Sequence, residues 1–157
     1  MPRPIWLQLN LSDNPHGDVL LTFGQTQQTE DSYYFTIDQN VKPGDESSEK
    51  AASVMARLLD QWLQRLSSED GCYLPVGFSD QSMTWLHCVA AEETTTVTLG
   101  WSEDEGWSVM PSELEERSPA AFNPMEDTQP LELYTPRLLA LVRSNAAYLA
   151  ALAEPAT

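Results

Sequence analysis

The chain has 157 residues, with 24 acidic side chains against 8 basic ones and a formal charge of −16. That sign excludes nucleic acid, which needs a basic stripe to neutralise its phosphates, and it disfavours anionic membrane surfaces. Basic proteins, polyamines and metal cations stay open as partners. With 41% hydrophobic residues and five tryptophans the chain is too apolar for a disordered acidic tail.

Its length points to a single globular domain over residues 1–154. A chain of this size buries roughly 68–70% of its unfolded surface and holds a core without staples. No run approaches about 18 apolar residues, so no membrane span is expected. The opening residues lack the continuous apolar region of a secretory signal, and the cytoplasm is the expected location.

Ile5, Leu7, Leu9 and Leu11 alternate with polar positions and with Trp6, which predicts a half-buried strand. Turn formers at 13–18 break it. A second strand over 18–25, through Val19, Leu21 and Phe23, suggests a hairpin. A third strand is expected over 32–38, with Tyr33, Phe35 and Ile37 on one face. A Pro43-Gly44 turn precedes the best helix of the chain, 46–66. Met55, Leu58, Leu59, Trp62 and Leu66 form its apolar stripe, and Glu49, Lys50, Arg57 and Asp60 face mainly outward. Asp45 or Ser47 is the candidate cap.

Strands follow over 72–78, where Pro75 implies a sheet edge, then 82–90, then the β-branched 94–101. Residues 107–110 read as the return partner of the last, across the acidic turn 102–106. Ser112-Glu113-Leu114-Glu115 is a capping box and predicts a short helix. Residues 118–134 are irregular and broken by Pro119, Pro124 and Pro130. Thr135-Pro136 opens a terminal helix with Leu138, Leu141, Val142, Leu149 and Leu152 as its stripe. The order is three strands, a helix, three or four strands, a short helix and a terminal helix. It predicts an α+β fold: a mainly antiparallel sheet of about six strands with two long helices packed on one face.

The densest candidate site is the acidic tip Glu103, Asp104 and Glu105 between Trp101 and Trp107, continued by Glu113, Glu115 and Glu116. Tryptophan beside concentrated charge suits an interface anchor rimmed by steering charges. The alternative is that both tryptophans pack inward and the acids form a solvated face. Three consecutive acids do not match the spacing of a calcium loop. His87 and Cys88 would point to opposite faces of a strand and cannot share one zinc, so no metal is expected. With no phosphate loop and no dinucleotide fingerprint, no cofactor is expected either.

Gly77-Phe78-Ser79-Asp80-Gln81 superficially resembles a nucleophile elbow but lacks the second glycine and a following helix. Cys72 and Cys88 read as two buried thiols, with a disulfide as the alternative.

These features favour a non-enzymatic binding protein that recognises a basic partner surface. Its charge and size are those of small acidic bacterial proteins that neutralise a toxin, chaperone a secreted protein or mimic DNA. The second expectation is a small enzyme or ligand-binding domain with a site assembled from Ser79, Asp80, His87 and Cys88. The third is a subunit of a homo-oligomer joined through a helix face or a sheet edge.

Overall fold

A computed structural model describes residues 3–10, 18–68 and 70–154. Among these residues the fold is α+β, with eight strands in two antiparallel sheets and three helices. The expectation of one sheet of about six strands is corrected by this division. The smaller sheet has the order β1-β2-β3, with β1 at Ile5–Leu9, β2 at Val19–Phe23 and β3 at Thr26–Glu30. The larger runs β4-β5-β6-β7, with β4 at Gly71–Phe78, β5 at Met83–Ala91, β6 at Thr94–Ser102 and β7 at Asn123–Pro124. The last strand, β8 at Leu131–Tyr134, also pairs with β6.

The expected first hairpin forms, with Leu7 opposite Leu21; its turn residues at 11–17 lie outside the described residues. The third strand is not where side-chain alternation put it. Residues 32–38 instead carry a single helical turn, α1 at Tyr33–Thr36. Asp18 fixes its start by accepting from the Ser32 amide at 2.9 Å and the Ser32 hydroxyl at 2.6 Å. The true third strand is Thr-Gln-Gln-Thr-Glu. A two-residue turn leads into it, with Gly24 at φ 61° in the first central position, where tight hairpins need glycine.

Helix α2 spans Ser48–Ser68 and α3 spans Thr135–Ala153, and the two pack against each other. The Ser47 hydroxyl caps α2 by accepting from the Lys50 amide at 3.2 Å, and it is itself steadied by Asp45. Lys50 departs from its expected outward face: it is 0% exposed, and its ammonium nitrogen has no hydrogen-bond acceptor among the described residues.

Both helices also close sheet edges. The hydrogen-bonded rungs flanking β1 leave Leu7 and Leu9 with their peptide groups turned away from β2. From α3, Asn145 accepts from the Leu7 N–H at 2.8 Å and donates to the Leu7 carbonyl at 2.9 Å. The Tyr148 hydroxyl does the same for Leu9, at 3.2 and 3.3 Å. On β4, which is an edge as Pro75 implies, Trp62 donates to the Pro75 carbonyl at 3.0 Å and Arg65 donates to the Tyr73 carbonyl. Polar side chains on the helices thus take the place of neighbouring strands, one way of blunting an edge.

Neither the expected strand at 107–110 nor the short helix at 112 forms. Residues Gly106–Ser108 make a 3-10 turn, and Glu115 sits at φ 55°, a conformation that no α-helix accommodates. Residues 109–117 instead run as a strap along α2. Gln61 donates to the Pro111 carbonyl at 2.8 Å and accepts from the Leu114 amide at 2.6 Å. Buried Asp38 accepts from the Ser112 amide at 2.8 Å.

Candidate functional site

The chain end of β4, the start of β5 and the end of β6 lie together, since Phe78 pairs with Met83 and Met83 with Ser102. The acidic tip grows out of this end. The Ser102 hydroxyl donates to the Asp104 carboxylate and also accepts from the Trp85 indole at 2.8 Å. Asp104 accepts in turn from the Ala120 amide at 3.1 Å. The middle acid of the tip is therefore fastened inward, and Glu103 and Glu105 are the two left exposed.

Gly106 comes next, so close to the Ser79 backbone that an added Cβ would lie 2.6 Å from its amide nitrogen. The small residue lets the tip lie directly on the β4–β5 turn. Trp101 and Trp107, on either side, are 39% and 53% exposed. Both tryptophans thus reach solvent instead of packing wholly inward.

A second aromatic pair joins the same end. Tyr33 is 37% exposed and meets Tyr34 edge to face, with ring centroids 5.3 Å apart. The Tyr34 hydroxyl donates to Asp80 in the β4–β5 turn at 2.8 Å. Burial, together with the Asp80 carboxylate that accepts its proton, pushes the Tyr34 phenol up to about 12. The end of the larger sheet therefore presents Tyr33, Trp101 and Trp107 among Asp80, Glu103 and Glu105.

The other three expected site residues are elsewhere. Glu113 accepts from Asn40 at 3.2 Å, and Glu115 and Glu116 lie on the strap near the start of β4. The eight residues of β4, at about 3.3 Å each, separate Glu115 and Glu116 from the tryptophans. The acidic run continuous in sequence is two patches in space.

Ser79, Asp80, His87 and Cys88 do not converge. The Ser79 hydroxyl is engaged with Ser82, and Asp80 with Tyr34. His87 stacks on Tyr73 with centroids 4.3 Å apart and planes 8° from parallel, and Phe122 meets its edge at 5.5 Å. Burial in this aromatic stack holds the imidazole pKa below its usual value. Phe122 is seated there because Gly100 has no side chain: a Cβ would lie 2.4 Å from the ring. Cys88 points to the opposite face, toward Cys72. No group of three or more potential metal-ligating side chains occurs among the described residues, and no described helix is long and apolar enough to cross a membrane.

Asp80 and the Tyr33-Tyr34 pair stand out in the sequence, but the Tyr34–Asp80 contact that joins them does not, because alternation places the tyrosines in a strand instead of the helical turn at 33–36. Comparison with protein-family models, with curated proteins and with solved structures finds no match.

Proposed function

We propose that this chain is a non-enzymatic binding protein whose acidic and aromatic end docks a basic protein surface. The observation that carries this is the exposure of Trp101 and Trp107 on either side of a fastened acidic tip. An ordered loop loses little freedom on binding, so less of the contact energy is spent on ordering it. Indole faces suit the guanidinium and ammonium groups of a basic partner. The carboxylates of Glu103, Glu105 and Asp80 supply the matching potential, which acts first on the association rate. In this reading Glu115 and Glu116, near the start of β4, contribute long-range attraction, and Glu113 is engaged by Asn40.

The test is capture of a partner by the tagged chain at low salt, followed by elution with rising salt and kinetics on the purified pair. A basic partner should be released as salt screens the contact. Trp107→Ala should speed dissociation, while the double change Glu103→Ala and Glu105→Ala should slow association and flatten its salt dependence. Association kinetics unchanged by the double variant at low salt would remove the tip from the interface.

A further inference from the structure

A groove of about 640 Å³ opens between the last turns of α2, the first residues of β4 and the end of the strap with the residue after it, 115–118. Cys72 is on its wall and is 7% exposed; Cys88, its partner across the ladder, is 2% exposed. Both are thiols. The rung they share is hydrogen-bonded, as the Asp70–Ala90 rung two residues away fixes, so their Cα atoms are about 5.5 Å apart. A disulfide accepts Cα separations of roughly 4.4–6.8 Å.

We propose that Cys72 and Cys88 form a redox-active dithiol, in which Cys72 reacts with a small-molecule disulfide entering the groove and Cys88 resolves the product. The Cys72 sulfur displaces one thiolate from the disulfide RSSR and forms a mixed disulfide, Cys72–S–SR. The Cys88 sulfur then attacks Cys72, expels the second thiolate and closes the Cys72–Cys88 bond. The protein is oxidised by two electrons, RSSR is reduced to two RSH, and the two thiol protons end on the leaving groups.

Three features set this order. The groove reaches Cys72 first. Its rim carries Arg65 and Arg117, and cationic neighbours favour the reactive thiolate, although Glu115 and Glu116 on the same rim oppose them. Finally, a hydrogen bond to Cys72, reinforced by burial, pushes the Cys88 thiol well up and keeps Cys88 protonated while the groove-lining Cys72 reacts. Capping Cys72 ends that bond and releases Cys88 for the second step. Directly opposed residues hold their Cβ atoms about 4.5–5.5 Å apart, whereas a relaxed disulfide prefers about 3.5–4.5 Å. The closed bond must draw the strands together and is correspondingly easy to reduce.

The test uses the reduced, folded chain with hydroxyethyl disulfide as probe, read by thiol titration and intact mass. The wild type should lose both thiols without keeping an adduct. Cys88→Ser should accumulate one persistent adduct on Cys72, and Cys72→Ser should stay unmodified over the same period. Peptide mapping of wild type quenched early should place the first adduct on Cys72, which keeps the proposal testable if a variant fails to fold. Wild-type thiols that react only in denaturant, a first adduct on Cys88, or equal reaction of the two variants would overturn it.

Discussion

Replacing Asn145 by leucine removes both hydrogen bonds that close the outer edge of β1 while keeping the branched shape of the side chain. Leu7 is fully buried, so water cannot take the place of the amide. Each orphaned backbone group costs about 1–3 kcal/mol, and the added apolar burial returns roughly 1.5–3 kcal/mol at most. The mid-range net loss is about 2 kcal/mol, a sizeable part of a typical stability of roughly 5–15 kcal/mol. In a chain of this length it lowers Tm by roughly 4–8 °C.

The sharper variant is Asn145→Asp. A carboxylate can accept from the Leu7 amide but turns a negative oxygen toward the Leu7 carbonyl; a protonated carboxyl accepts from one and donates to the other. Burial and that carbonyl raise the folded-state pKa of the new acid. Stability relative to wild type is therefore lost as pH rises through that pKa and recovered below the unfolded value of about 3.9. Urea unfolding of both proteins across pH 4–7 reads the difference. A pH-independent gap, or a leucine variant within about 0.5 kcal/mol of wild type, would refute the role assigned to Asn145.

Two further outcomes are expected. Lys50→Met removes an ammonium that has no hydrogen-bond acceptor among the described residues and keeps its length; it should stabilise by about 1–3 kcal/mol in urea unfolding, and a clear loss would mean that the attraction between the ammonium and Asp45 outweighs its burial. Glu30 lies under the β4 bulge, so close to Gly77 that a Cβ there would lie 2.3 Å from the carboxyl carbon. Burial raises its carboxyl pKa, against hydrogen bonds from Gln28 and Thr84 that lower it. The folded state thus binds the proton more tightly than the unfolded one, and stability falls as pH rises from the unfolded value toward the folded one. Glu30→Gln should raise Tm at pH 7 and leave it unchanged near pH 4; a gap of equal size at both would show that the carboxyl pKa is not raised.

Periodicity was enough to find β4, β5, β6 and the two long helices, because each buries a regular apolar stripe or face. It failed where backbone pairing and side-chain burial part company. The strand Thr26–Glu30 contains no apolar residue, so hydrophobic alternation passes over it, whereas Tyr33, Phe35 and Ile37 alternate and yet sit around a helical turn. The capping box at 112 is defeated by tertiary hydrogen bonds that the Ser112 and Leu114 amides donate to Asp38 and Gln61, which hold the segment as two successive turns along α2. The strands β7 and β8, from the Pro-broken region, are short and held mainly by β6. Trp101 and Trp107 were legible as candidates because aromatic and acidic residues adjoin in sequence; the separation of Glu115 and Glu116 from them depends on the path of the strap.

The closure of β1 by α3 joins residues 138 positions apart. A chain emerging from the ribosome makes its first hairpin long before the residues that cover its outer edge exist. Contacts of such sequence separation also form late in refolding, because the loop they close is nearly the whole chain. During that interval an apolar strand with open peptide groups is a template for any other extended segment. The nascent chain is therefore most prone to aggregation at β1 until α3 docks on it. Truncation within α3 should accordingly yield insoluble protein rather than a merely weakened fold.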